Sequence, residues 1–270
     1  MPVYVGTSGW QYRHWRNTFY PQDVPQARWL EFYVRRFQTV ELNNSFYRLP
    51  PRETFAKWYA RTPPDFVIAA KMSRYLTHIK KLKEPAEPVA RFLDHAAPLG
   101  RKLGPILIQL PPTLQVDLDG LDDTLSRFPR SVRVAVEFRH DTWWNDDVRS
   151  ILEKHGAALC MADRHSKPFS AQWKTTDWTF LRFHEGEGTP HPCYGRSAIE
   201  SWAKRLADGW GPDADIFVFV NNDPRACALR DARVFAAAAR RAGLSPTRVP
   251  AAGDVTVDTT ALGQAWARSS

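Results

Sequence analysis

Cysteine and methionine are scarce in this chain, with three of each among 270 residues. Cys160, Cys193 and Cys227 are too few and too scattered for a disulfide framework or a thiolate zinc site, so a reducing, cytoplasmic setting is expected. Long apolar runs are missing as well. None approaches the roughly 20 residues needed to span a bilayer, and no membrane partner is expected. Met1 to Gly6 goes directly into a strand-like pattern with no basic n-region or cleavage site, which argues against a secretory signal. Glycine-rich phosphate loops are also lacking. Gly6-Thr7-Ser8-Gly9 fits neither G-x-G-x-x-G nor a P-loop, and the nucleophile elbow G-x-S-x-G does not occur. A dinucleotide-binding sheet and a serine hydrolase thereby lose their usual signatures, and no cofactor is expected.

What remains is ordinary globular material, 43% hydrophobic and 24% charged, which excludes a disordered, collagen-like or coiled-coil chain. Lys and Arg number 37 against 29 Asp and Glu, a formal net charge of +8. That excess favours anionic partners such as phosphates, nucleic acid or acidic sugars, although a solvated basic surface accounts for it equally well. Eleven tryptophans are mostly core material, with a few free to stack on a base or sugar.

Eight short apolar runs read as buried parallel strands: Val3–Thr7, Thr39–Asn43, Phe66–Met72, Pro105–Leu110, Val132–Phe138, Ala157–Ala162, Thr179–His184 and Ile216–Asn221. Helical stripes lie between most of them, for example Trp29, Tyr33 and Phe37, then Leu118, Leu121, Leu125 and Phe128, then Ile199, Trp202 and Leu206. Asp146 to His155 reads as a helix stopped by Gly156. Asp223-Pro224 reads as a cap and first residue opening an Ala-rich helix towards Gly243. The alternation predicts an α/β fold, a (β/α)8 TIM barrel forming one domain over residues 1–243. Residues 164–177 carry no convincing helix, so the helix after strand six is expected to be reduced or replaced by a loop. Residues 244–270 are expected to form an extended or mobile tail.

In a barrel, function belongs to the carboxyl ends of the strands. Strand alternation puts Glu41 and Asn43 on one face of the second strand, Glu137 and Arg139 on one face of the fifth, and Arg182 and His184 on one face of the seventh. Lys71, Gln109, Asp163 and Asn221 close other strands. So many strand-end polar groups must pair with one another or face a cleft, and a polar pocket is the better reading. Glu137 and Glu41 are the acid/base candidates, with His184 as a proton shuttle. Lys71, Arg139 and Arg182 are the anion-binding candidates, set against Glu41, Glu137 and Asp163 as their counter-charges. Trp10, Tyr12, Trp143 and Tyr194 fall in post-strand loops, where they would stack on a ligand or anchor the loop. Only His184 among the histidines clearly holds a strand-end position, so no metal is assigned. Cys160 reads as a packed thiol, and Cys193 as more exposed.

Several of these blocks are similar to the YecE-like family, known as domain of unknown function 72. The resemblance is carried by Gly6-Thr7-Ser8-Gly9-Trp10 with Tyr12, Trp15 and Phe19-Tyr20-Pro21, by Val40 to Pro50, by Ala70-Lys71 and by Gln109-Leu110-Pro111-Pro112. It continues through Glu137-Phe138-Arg139-His140 with Trp143, Leu181 to His184, Tyr194-Gly195-Arg196 and Asn221 to Pro224, ending near residue 243. The resemblance implies a TIM barrel related to the xylose-isomerase and apurinic-endonuclease type and brings no established reaction. The favoured expectation is a metal-independent hydrolase or lyase acting on a phosphate-bearing or sugar-containing small molecule. A nucleic-acid-binding barrel and a carbohydrate-active barrel are the alternatives.

Overall fold

The computed structural model describes residues 1–256. All eight expected strands form: β1 (Pro2–Thr7), β2 (Thr39–Leu42), β3 (Val67–Lys71), β4 (Leu103–Gln109), β5 (Val134–Glu137), β6 (Ala158–Arg164), β8 (Thr179–Glu185) and β9 (Ile216–Val220). Two short strands add to them, β7 (Lys167–Pro168) and β10 (Ser245–Pro246). The α-helices of the described residues are α1 (Trp29–Val34), α2 (Asn44–Tyr47), α3 (Arg52–Ala60), α4 (Ala86–Ala96), α5 (Leu118–Ser126), α6 (Asp146–His155), α7 (Arg196–Trp210) and α8 (Cys227–Arg241). Nine strands follow one another in hydrogen-bonded order β10-β1-β9-β8-β6-β5-β4-β3-β2, all parallel, in a sheet curled through about 270°.

The expected closed barrel is corrected at one seam, where β1 and β2 lie side by side without a ladder. A side chain takes the place of backbone pairing. The buried Tyr33 hydroxyl accepts from Thr7 N at 3.2 Å and donates to Thr39 O at 3.1 Å. The strands press together closely enough that a Cβ on Gly6 would sit 2.6 Å from Thr39 O, so only glycine fits there.

Alternation divides the sheet into two apolar layers. Ile106, Val134, Val136, Leu181, Phe183, Val218 and Val220 face outward into the core shared with the helices. Ala69, Leu107, Ala135, Cys160, Phe180, Phe217 and Phe219 fill the inside of the curl as a separate layer. That inner layer is the floor beneath the strand-end polar groups.

Local chemistry sets several helix ends. Asn145 caps α6 by accepting from Val148 N at 3.0 Å, Asp146 and Asp147 occupy its first turn, and Gly156 ends it in the left-handed region at φ 63°. The Asp223-Pro224 reading needs correction. Asp223 makes no side-chain cap, Pro224–Ala226 is a 3-10 turn, and Arg225 and Ala226 take φ of 58° and 61° before α8 begins at Cys227.

No helix forms over residues 164–177; instead β7 turns back antiparallel onto β6. The start of the tail is packed against the sheet. Leu244 is buried, β10 pairs with β1, and Arg248 donates to Val34 O and Phe37 O at 3.2 Å each. Residues 257–270 of the expected tail lie outside the described residues. Cys193 and Cys227 form a disulfide between the turn before α7 and the first residue of α8, a pairing the cysteine count did not anticipate. Cys193 is buried rather than exposed, and Cys160 is a buried free thiol. Among the described residues no helix is long and apolar enough to cross a membrane.

Candidate functional site

Parallel register brings the carboxyl ends of β2, β3, β4, β5 and β8 together above the inner apolar layer. Gln109 lies opposite Glu137 in the β4–β5 pair, for example. Arg182, 1% exposed, is the centre of the arrangement. Its Nη1 donates to Glu137 Oε2 at 2.7 Å and its Nη2 to Glu41 Oε1 at 2.8 Å. Both carboxylates are fully buried. Glu137 Oε1 also pairs with Arg139 and lies 3.0 Å from His184 Nε2. Burial alone would raise the Glu137 carboxyl, but Arg182, His184 and Arg139 outweigh it and hold the group well below its ordinary value.

His184 is fixed by its neighbours. Its Nε2 lies 3.0 Å from both Glu137 Oε1 and Arg139 Nη2, and its Nδ1 lies 3.4 Å from Asn221 Nδ2. Burial lowers its pKa to about 4 against the pull of Glu137, so it is neutral and weakly basic at pH 7. Lys71 Nζ donates to the neutral amide oxygen of Gln109 at 2.7 Å and lies 4.2 Å from the Phe46 ring centroid. Burial, reinforced by Arg182, brings its pKa down to about 8 even though Glu41 and Glu137 act the other way.

These groups open onto a cavity of about 930 Å³. Lys71, Gln109, Arg139, Arg182, His184, Asn43 and Asn221 all line it. Tyr12 lines it too, with its hydroxyl on Ser8 O beside the Asn43 amide, which donates to the same oxygen at 3.0 Å. Glu41 and Glu137 lie beneath the wall, behind Arg182. Among the described residues, Glu41 Oε2, Asn43 Oδ1, Arg139 Nε and Arg182 Nε are buried without a protein partner. A second cleft of about 560 Å³ continues past His184 and Asn221 towards His14, His191 and Asp223.

Four expected members are elsewhere. Asp163 points outward under α7, where its Oδ2 accepts from the Trp202 indole at 2.6 Å, and burial raises its carboxyl. Tyr194 is fully buried, donating to Asp163 O at 3.0 Å and accepting from Glu185 N at 3.1 Å. Trp143 is fully buried, stacked on Phe138 with its indole on Leu114 O at 2.8 Å. Trp10 is 5% exposed and packs edge-on against Trp58. None of the three aromatics lines the large cavity.

Other lining residues had escaped sequence reasoning: Asn44 and Tyr47 on α2, Pro112 after β4, and Arg164 and Phe169 at the β6–β7 turn. Arg164 was signalled by the alternation itself, since Cys160, Ala162 and Arg164 share the inward parity that Asp163 lacks. Phe169 lies 5.0 Å from the Arg139 guanidinium, so the hairpin in place of a helix supplies part of the pocket wall. Among the described residues no group of three or more His, Cys, Asp or Glu side chains is placed to hold a metal ion.

A curled parallel sheet with a polar strand-end pocket defines an α/β protein of barrel-like design. The family model described as "Protein of unknown function DUF72" matches residues 4–253, and the chain belongs to that family. The match runs past residue 243 into the packed part of the tail. UPF0759 protein YecE of Escherichia coli K12 is 30% identical over 139 residues, 51% of this chain and 48% of the relative. This chain therefore aligns with about half the length of that relative. UPF0759 protein YunF of Bacillus subtilis is 23% identical over 255 residues, covering 82% of this chain and 89% of the relative. A DUF72 family protein of Thermotoga maritima superposes with a TM-score of 0.76 at 26% identity, over 87% of this chain and 98% of its own. One from Enterococcus faecalis reaches 0.74 at 17% identity, over 88% and 95% of the two chains, a likeness of fold alone.

Proposed function

We propose that the chain is a metal-independent hydrolase or lyase whose pocket takes a small, phosphate-bearing or sugar-phosphate substrate. One observation carries this reading: among the described residues Lys71, Arg139, Arg164 and Arg182 line the cavity while no carboxylate does. Counting Glu41 and Glu137 behind the wall, four cations meet two carboxylates, a local excess of two positive charges. The balance feared from sequence, three cations against three carboxylates, disappears because Asp163 faces α7. Lys71, Arg139 and Arg164 hold the anionic group, with Arg139 offering a planar fork. Asn43, Gln109 and Asn221 orient its polar remainder.

The acid/base assignment shifts accordingly. Glu137, fully buried and held ionised by Arg182, is a poor general acid at neutral pH, and Glu41 is fully buried and bonded to the same guanidinium, so both act as positioning residues for Arg182. Proton transfer falls to Lys71, near enough to neutrality to gain and lose a proton, with His184 as a neutral hydrogen-bonding group. The nucleic-acid and carbohydrate readings keep Tyr12, Tyr47 and Phe169 of the cavity wall as stacking aromatics, whereas Trp10, Trp143 and Tyr194 are buried.

The test is native purification followed by denaturation and mass spectrometry of what is released. A phosphate-bearing small molecule is expected, depleted in Arg139→Met. A neutral or cationic molecule retained equally by that variant would contradict the assignment.

A further inference from the structure

Two lysines among the described residues are buried, and their surroundings differ sharply. Lys102, 4% exposed, is closed off, its ammonium donating to Tyr59 O, Thr62 O and Thr62 Oγ1 at 2.6, 2.6 and 3.0 Å. Three oxygens saturate its three protons and fix it as a structural cation. Lys71, 8% exposed, has one neutral acceptor, Gln109, an aromatic face at Phe46 and no carboxylate within ion-pair distance among the described residues. Its amine fronts the large cavity rather than a closed gap. A structural lysine would not be left so poorly satisfied beside open space.

We infer that Lys71 is a nucleophilic amine that forms an imine with an aldehyde or ketone substrate bearing an anionic group. This rests on the pocket being an anion site, and it narrows the substrate to phosphorylated or carboxylated carbonyl compounds. In the step, the neutral amine attacks the carbonyl carbon, forming a C–N bond while a proton passes from nitrogen to the carbonyl oxygen. The carbinolamine then loses that oxygen as water as the nitrogen lone pair closes the C=N bond. Once protonated, the imine accepts the electron pair released when a neighbouring C–H bond breaks and its proton passes to water; the enamine regains a proton at carbon, and water then adds to the imine carbon to restore amine and carbonyl. No oxidant or reductant is needed.

The groups facing Lys71 favour this state. Arg182 on β8 and Arg139 after β5 repel its charge, His78 lies behind Phe46, and Glu41 and Glu137 are engaged with Arg182. With the pKa brought to about 8, roughly a tenth of the amine is neutral at pH 7, against less than about a thousandth for a free lysine. The anionic arm of the substrate would rest on Arg139 and Arg164 of the same wall.

The probe is pyridoxal 5′-phosphate, an aldehyde that carries a phosphate, added to the full chain and then reduced with sodium borohydride. Peptide mass mapping is expected to find the adduct on Lys71, formed about tenfold faster than on any surface lysine. Inorganic phosphate should slow that labelling. Lys71→Arg keeps the charge and should bind the probe, displaceable by phosphate, while losing the adduct. A wild-type chain that binds the probe displaceably yet leaves Lys71 unlabelled would overturn the imine and leave the anion site standing. A wild-type chain that does not bind the probe at all would overturn both.

Discussion

Arg182→Met tests whether the heart of the pocket is an electrostatic unit. Arg182 is the partner of two fully buried carboxylates, but they depend on it unequally. Glu137 keeps Arg139 and His184 when Arg182 is gone, whereas Glu41 has no other hydrogen bond among the described residues. Removing one partner of a buried ion pair costs about 3–5 kcal/mol, because the stranded charge stays desolvated. At roughly 2–4 °C per kcal/mol for a domain of this size, the melting temperature should fall by about 6–20 °C. Adding Glu41→Gln in the same chain removes the stranded charge and should recover most of the loss. Adding Glu137→Gln should recover less, since that carboxylate retains cationic company. Circular dichroism melts and urea titrations of the four proteins at pH 7.5 give the answer. An Arg182→Met chain within about 1 kcal/mol of the parent would refute the reasoning. So would a larger rescue by Glu137→Gln than by Glu41→Gln.

Other outcomes follow from the same structure. The folded-state pKa of His184 is about 4, below the 6.5 of a free histidine, so the unfolded chain binds the extra proton between those values. Stability is therefore full above pH 6.5 and falls as the solution is acidified towards pH 4, with about 3 kcal/mol attributable to this residue. His184→Gln should flatten that fall in urea titrations across the window, and an equally steep variant would show that the burial of His184 is not its cause. Tyr33→Phe leaves Thr7 N and Thr39 O without their shared hydroxyl at the β1–β2 seam, a loss of about 1–3 kcal/mol in denaturant melts, and an unchanged midpoint would mean the seam needs no staple. Thiol titration of the denatured, unreduced chain should count one reactive sulfur, Cys160, and three after reduction; three before reduction would dissolve the Cys193–Cys227 pair.

The period of two in the strands was the most readable part of the sequence. It separated Val40, Val136 and Leu181 from Glu41, Glu137 and Arg182, and parallel register then carried those charges to one level of the sheet. The same rule, applied to β6, selects Arg164 and rejects Asp163, whose position at a strand end had outweighed its parity. The glycine stop of α6 at Gly156 was legible, while Asp223 was misleading, because two left-handed residues interrupt the path into α8. Loop aromatics were opaque because burial depends on what arrives from elsewhere: Phe138 for Trp143, Trp58 for Trp10, and the β6 backbone for Tyr194. The open seam and the disulfide were hidden for a related reason. Each rests on residues brought together by the finished fold, Tyr33 against Thr7 and Thr39, and Cys193 against Cys227. The full burial of the two glutamates against Arg182 was hidden in the same way, since Arg182 reaches them from another strand.

The central claim is that the strand-end cavity is an anion site, and paired calorimetry addresses it most directly. A sugar phosphate and its dephosphorylated parent are titrated into the wild-type chain and into Arg139→Met at one ionic strength. The phosphorylated sugar should bind the wild type at least about tenfold more tightly than the bare sugar, with the gap shrinking in the variant, as expected for charge-assisted hydrogen bonds to the phosphate. Equal affinities for the two sugars, or a gap untouched by loss of Arg139, would contradict the account.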